Sequence, residues 1–147
     1  MIRELEKKDR ALFLSMADEF YHSDAVLHPV EREVLERVFD EFCTSDTYLK
    51  GFLLEYEGEA VGFAILSFGF STEVGGRVVW IEDLYVRPAY RSKKLGREFF
   101  SYLNETYSGK VRRFRLEVEQ GNVRAISLYE RLGFTVLPYQ QMVIENP

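Results

Sequence analysis

Cysteine occurs once in this sequence, at Cys43. No disulfide can therefore form within the chain, and a reducing cytoplasm is the expected compartment. A lone thiol at the end of an amphipathic segment reads as a small buried hydrophobe rather than a nucleophile. Histidine is almost as scarce: His22 and His28 bracket Asp24, but no second ligand cluster accompanies them, so no metal site is expected. No uninterrupted apolar run approaches the roughly 18 residues that span a bilayer, and no membrane partner is expected. The opening MIRELEKKDR is charged throughout, unlike a secretory signal. The patterns G-x-x-x-x-G-K-[ST], G-x-G-x-x-G and G-x-S-x-G are also missing, which argues against a Walker loop, a dinucleotide fold and a hydrolase elbow.

What is present is a globular chain. Hydrophobic residues make up 46% of it and aromatics 15%, too many for a disordered segment. Its 147 residues suffice for one well-buried core and not for two ordinary ones, so residues 1–147 read as a single domain. The net charge of -5 argues against non-specific nucleic-acid binding. That charge is uneven: residues 1–60 hold 15 acidic against 7 basic residues, whereas residues 61–147 hold 9 against 12. An anionic ligand for the second half fits this split, as does a cationic one for the first. Acidic helices facing solvent would explain the first half equally well.

Apolar periodicity outlines the elements. Ile2–Leu5 reads as a short strand, and Leu12, Phe13, Met16, Ala17, Phe20 and Tyr21 recur at helical spacing. A second helix takes Pro29 into its first turn and runs to Phe42. The strands 48–57 and 60–70 flank Gly58 as a hairpin, and Gly75-Gly76 turns the chain into 77-RVVWIEDLYV-86. That last run is apolar on both faces, as in a strand covered on both sides. A helix over 95–107, a strand over 111–119, a helix over 123–132 and two short strands, 134–137 and 140–145, complete the chain. The order is β-α-α-β-β-β-α-β-α-β-β, one α/β (α+β) domain around a mixed sheet.

Between Arg87 and Arg97 stand five basic residues and no acid: Arg87, Arg91, Lys93, Lys94 and Arg97. They precede a helix start, where unpaired N–H groups and the macrodipole favour an anion, and Gly96 lets backbone approach a ligand without a Cβ in the way. A pyrophosphate would suit this arrangement.

These residues resemble a family. The run from Ile81 to Gly96 is similar to the nucleotide-binding signature of the GNAT superfamily of N-acetyltransferases, whose loop reads Gln/Arg-x-x-Gly-x-Gly/Ala. Arg91 and Gly96 match, while Lys94 stands at the family's first glycine, a replacement suited to a helix start rather than to a residue of positive φ. Downstream, 117-EVEQGNVRAISLYERLGF-134 looks like the family's later strand and helix, and WIEDLYV resembles the diamine (polyamine) acetyltransferases. The resemblance implies a mixed central sheet that splays apart, flanked by helices, and acetyl-CoA as co-substrate without a metal. It places the pantetheine along the backbone of Leu84, Tyr85 and Val86. The pyrophosphate falls to Arg91, Ser92, Lys93, Lys94, Leu95, Gly96 and Arg97, with Asn122 touching the coenzyme besides capping its helix.

Tyr129 fits its helix as a core residue, but in the family the corresponding tyrosine protonates the departing thiolate. Glu82 and Asp83 interrupt an apolar strand, where carboxylates are costly unless used, and alternation sends them to opposite faces. By the resemblance Glu82 is the base that deprotonates the acceptor, and Asp83 joins Tyr21, Asp24 and Glu31 in acceptor contacts. The expected activity is direct acetyl transfer, in a ternary complex, to a small cationic amine: a polyamine, diamine or amino-acid-like acceptor. The rival readings are acetylation of a protein N-terminus or lysine, and a non-catalytic acyl-CoA-binding module. Family members are frequently dimers, so a homodimer is the assembly implied, with 63–70 and 134–143 as candidate interface strands.

Overall fold

The structure is a computed structural model that describes residues 1–147. Five strands form one sheet in the order of the chain: β1 (Ile2–Glu4), β2 (Leu49–Tyr56), β3 (Glu59–Ser71), β4 (Gly76–Val86) and β5 (Arg113–Leu116). The first four are antiparallel, and β5 joins parallel to β4. A parallel return needs a crossover, and α3 (Leu95–Tyr107) supplies it after a 3-10 turn over Pro88–Lys93. The helices α1 (Arg10–Tyr21) and α2 (Arg32–Thr44) lie between β1 and β2 in the chain, and α4 (Val123–Arg131) follows β5.

Strand alternation divides the core in two. Leu53, Phe63, Ile65 and Tyr85 point to α1 and α2, where Phe13, Phe20 and Phe39 meet them. Phe52, Leu54, Ala64, Leu66, Val79 and Ile81 point to α3 and pack on Leu95, Phe99 and Leu103. Edge-to-face pairs such as Phe13 with Phe63, at 5.2 Å between ring centres, lock the first layer. No helix is long and apolar enough to cross a membrane.

The turns obey local chemistry. Glu57 and Gly58 both take positive φ, 52° and 81°, the two-residue hairpin geometry that matches strand twist. The second helix begins later than its apolar pattern suggests. Glu31 is extended, with φ -65° and ψ 151°, and its carbonyl accepts the first helical bonds from Val34 and Leu35, so Pro29 stays in the preceding loop. β5 is also shorter than the run 111–119, because residues 117–122 leave the sheet through a turn closed by Asn122 N–H on Glu119 C=O. The two final strands do not form: residues 134–147 carry no regular structure, and their apolar side chains have no sheet to pair with.

Gly62 of β3 pairs with Val86 of β4. A methyl group there would run into the Tyr85 carbonyl oxygen, a backbone atom that cannot swing aside. Gly62→Ala should therefore cost about 1–3 kcal/mol, read as a lowered urea midpoint, with no comparable loss at the open Gly69.

Candidate active site

The ladder between β4 and β5 ends at Ile81 opposite Leu116. Beyond it Asp83 to Val86 keep their β3 partners on one side and have no strand on the other. The sheet splays at this point, and a cleft of about 400 Å³ opens between the bare β4 edge, the start of α3 and the inner face of α4. Leu84, Tyr85 and Val86 form one wall, and Arg91, Lys94, Leu95, Gly96 and Arg97 form the end beside α3. Asn122 and Tyr129 close it from α4. Residues more than 40 positions apart in the chain thus share one cavity.

Its α3 end is built for an anion. No side chain caps the first turn of α3, so its leading N–H groups lack protein partners and carry the positive end of the helix dipole. A Cβ at Gly96 would have as its nearest neighbour Leu128 Cδ2 at 3.7 Å, so the protein itself does not crowd this glycine, and the backbone there is open to the cleft. Lys94 is the N-cap residue in the left-handed region, φ 63° and ψ 25°. The loop thus demands positive φ where the family has glycine, and a lysine bears it. Arg91 donates through Nε to the Val86 carbonyl at 3.0 Å, covering part of the bare edge. Lys93 lies instead 5.5 Å above the Tyr56 ring, and neither it nor Ser92 lines the cleft. Two arginines absent from the sequence reading do line it, Arg124 and Arg131. Their spacing of seven residues, two helical turns, places them on one face of α4 with Leu128, and that periodicity was the available signal.

Asn122 caps α4, its Oδ1 accepting from Ala125 N–H at 3.3 Å, which leaves its amide nitrogen free. Tyr129 is wedged edge-on between Phe100 and Phe134. Burial pushes its phenol up, with no hydrogen-bond contribution, so the hydroxyl keeps its proton and has it to give.

The acidic pair is arranged differently from simple alternation. Ile65 pairs with Asp83 but the next residue, Leu66, pairs with Ile81, so Glu82 is an extra residue, a β-bulge in β4. Ile81 and Leu84 both belong to the layer under α3. The two residues between them are consequently both displaced to the α1 side, which corrects the expectation of opposite faces. Partners on that side hold each one: Ser67 donates to Glu82 Oε1 at 2.6 Å, and the Tyr21 hydroxyl lies 2.7 and 2.8 Å from the two Asp83 oxygens. Glu82 lines the cleft, whereas Asp83 is half-buried behind it against α1. Burial pushes the Asp83 carboxyl up to about 6, opposed by the Tyr21 hydrogen bond and reinforced by the Glu82 charge. Asp24 and Glu31 are exposed on the loop between α1 and α2, and neither is among the residues that line the cleft, although Ala25 beside Asp24 is. Cys43, half-buried on α2, lies outside the cleft, and burial holds its thiol in the neutral form.

A sheet that splays beside a basic helix start matches known proteins. Residues 12–134 match the model of the acetyltransferase (GNAT) family, and the chain belongs to that family. It is 35% identical over 96 residues to a spermine/spermidine N(1)-acetyltransferase of Bacillus subtilis, a match covering 59% of this chain and 60% of that enzyme's length. It is 30% identical over 141 residues to a thialysine N-epsilon-acetyltransferase of Bos taurus, covering 90% of this chain and 82% of the relative. Among solved structures, a possible acetyltransferase from Clostridium difficile 630 superposes with a TM-score of 0.85 at 20% identity, over 100% of this chain and 97% of that one. An aminoglycoside N-acetyltransferase in complex with CoA superposes with a TM-score of 0.76 at 17% identity, over 100% and 93%. At such identities these two structures speak for the fold.

The Asp83 shift has a signed consequence for stability. A carboxyl raised from 3.8 to about 6 binds its proton more tightly in the folded chain than in the unfolded one. Its contribution is therefore fully present below pH 4 and is lost as pH rises through about 6. Asp83→Asn, which can still accept from Tyr21, should exceed the wild type at pH 7.5 by about 1–3 kcal/mol and match it near pH 3.5. Urea titrations at both pH values read the difference.

Proposed function

We propose that the protein is an acetyl-CoA-dependent N-acetyltransferase acting on a small cationic amine, of the polyamine, diamine or amino-acid-like class, by direct transfer in a ternary complex. One observation carries this reading: a carboxylate from the β4 bulge and a phenol from α4, Glu82 and Tyr129, line the same cleft whose other end is the basic start of α3. The relatives' names support the acceptor class, since they specify spermine, spermidine and thialysine, all amines.

The residues of the cleft fit the coenzyme. The backbone of Leu84 to Val86 has no strand on its cleft side and, apart from the Val86 carbonyl that Arg91 covers, would bond an extended amide-bearing chain as an added strand. The N–H groups of the first turn of α3, with Lys94, Arg97 and Arg91, would hold the pyrophosphate, and Arg124 and Arg131 add charge from the opposite wall. When bound, acetyl-CoA supplies an acetyl group activated as its thioester.

The remaining work belongs to the protein. An ammonium must lose a proton before its nitrogen can attack, and Glu82, fixed by Ser67, accepts that proton directly or through water. Tyr129 delivers its own proton to the departing sulfur. Asp83, which accepts from the Tyr21 hydroxyl, adds its carboxylate charge to that of Glu82, and together they would draw a cation there. Rapid transfer depends on these groups being placed before the substrates arrive.

Thiol release from acetyl-CoA, measured with spermidine, diamines, thialysine, lysine and N-terminal peptides, tests the reading. Release with small amines supports it. Release with peptides alone would make the acceptor a protein, and tight CoA binding without release would make the chain a binding module. Tyr129→Phe should lower kcat about 10- to 1000-fold while leaving the CoA dissociation constant within a few-fold. Lys94→Gly should separate strain from binding: stability is unchanged or rises by up to about 1 kcal/mol as the left-handed strain is relieved, while CoA binds several-fold more weakly. Calorimetric titration with CoA and thermal denaturation measure the two effects.

A further inference from the structure

The α1 side of the sheet holds a charge that the proposed reaction does not use. Phe114 and Leu116 belong to the layer under α3, so by alternation Arg113 and Arg115 face the other way. On the neighbouring strand Val79 and Ile81 likewise pack under α3, which turns Trp80 to the same side as the two arginines. Trp80 belongs to neither core layer, so the helices that cover Ile65 and Tyr85 leave it partly exposed. A cup of about 320 Å³ opens here, lined by Gly69, Glu73, Trp80, Arg113, Arg115 and Tyr139.

The two arginines of the cup are in different states. Arg113 donates to Glu73 Oε1 at 2.8 Å and the Tyr139 hydroxyl to Oε2 at 2.8 Å, so both oxygens of that carboxylate are engaged. Arg115 has no carboxylate. Its guanidinium stands over the Trp80 ring, 4.2 Å from the centroid, and makes no hydrogen bond or ion pair with the protein. A guanidinium over an aromatic face keeps its N–H donors in its own plane, free to grip a planar anion with two parallel bonds. Bracing on the ring also reduces the freedom that the side chain must lose when it binds.

Arg115 has a defined place relative to the chemistry. It is in register with Trp80, and Glu82 lies two residues beyond Trp80, also displaced to the α1 side. Ser67, which holds Glu82, is the residue paired with Trp80 from β3. One strand spacing across and two residues along separate the Arg115 and Glu82 Cα atoms by about 8 Å. In a lysine-sized acceptor the terminal amine stands about 7 Å from the carboxylate when extended.

We propose that Arg115, braced on Trp80, binds the carboxylate of the acceptor, so that the substrate class is an amino acid bearing a terminal amine rather than a polyamine or diamine. The inference rests on the acetyl-transfer reading, since Glu82 is the end at which the amine reacts. Glu117, exposed and lining the transfer cleft, stands two residues past Arg115 and makes no ion pair. The α-ammonium of such an acceptor thus has a counter-charge nearby. A polyamine would instead bring a second ammonium to the guanidinium, which repels it and stays unpaired. Specificity then comes from an attraction and a repulsion exerted by the same side chain.

Acceptors that differ by a carboxylate test the proposal: lysine against cadaverine, its decarboxylated counterpart, and lysine against its methyl ester. Calorimetric titration into the CoA-loaded protein is read beside thiol-release kinetics. Lysine should bind about 10- to 100-fold more tightly than cadaverine, the ratio expected of a charge-assisted bidentate contact, with the difference in KM rather than kcat. Arg115→Gln should remove most of that ratio and strengthen cadaverine binding a few-fold, and Arg115→Lys should restore part of the ratio. Arg112→Gln, at an exposed arginine outside the cup, should preserve it. The ester should bind the wild type about as weakly as lysine binds Arg115→Gln, and should lose little more in that variant.

Equal binding of lysine and cadaverine by the wild type would overturn the proposal. A loss in Arg115→Gln shared equally by lysine and its ester would overturn it too, as the mark of a structural role. Lysine binding that depends on Arg115 but yields no thiol release would sustain this proposal and sink the acetyl-transfer reading. Amine turnover indifferent to the carboxylate would do the reverse.

Discussion

β4 keeps β3 along nearly its whole length and loses β5 after Ile81, and the site depends on that one missing ladder. Backbone groups cannot be left buried without partners, so an interrupted ladder must be solvated, capped or completed by something else. Arg91 covers the Val86 carbonyl, and the groups before it face the cleft. The same interruption brings the start of α3 opposite α4. A basic helix terminus, a bare strand edge and a phenol would otherwise be separated by a continuous strand. Function and incomplete secondary structure are here the same feature.

The bulge at Glu82 is the second device, and it acts through counting rather than through chemistry. One extra residue in β4 lets Ile81 and Leu84 both reach the layer under α3 and forces two carboxylates to the other face. Sequence alternation separates Glu82 from Asp83, because a period of two has no place for an insertion whose only sign is a register slip against β3. The acids themselves were legible as an anomaly in an apolar strand. Their common direction, and the hydroxyls of Ser67 and Tyr21 that hold them, depend on partners 15 and 62 residues away.

Elsewhere legibility followed the range of the interactions that decide each element. The Glu57-Gly58 hairpin, the end of α3 before Gly109 and the end of α4 before Gly133 are set by residues needing positive φ, and all were readable. The run from 82 to 97 was readable as a binding region because its charge is concentrated within one short loop. Arg124 and Arg131 escaped notice because each is an ordinary helix surface residue until the fold turns that face of α4 inward. The ends of β5 and the tail failed for a different reason. Alternation in 140–145 records what a segment could pair with, and within one copy no strand accepts it.

Placing Glu82 and Asp83 side by side works against the fold and for the ligand. Burial makes the Asp83 charge costly, and the neighbouring Glu82 carboxylate on the same face adds repulsion, so the Asp83 carboxyl is pushed up to about 6. An ammonium arriving beside Glu82 reverses both effects: it screens the repulsion and makes the ionised form of Asp83 the favoured one. Cation binding would then be strongest where the empty site is most strained, and a neutral amine would gain nothing from the arrangement. On the proposed reading the acceptor would arrive charged, as an amine exists in water, and would lose its proton only beside the carboxylate that takes it. Tyr21 tunes this balance, because its hydrogen bond favours the charged Asp83 and so limits how much of the site's charge is lost before the cation arrives.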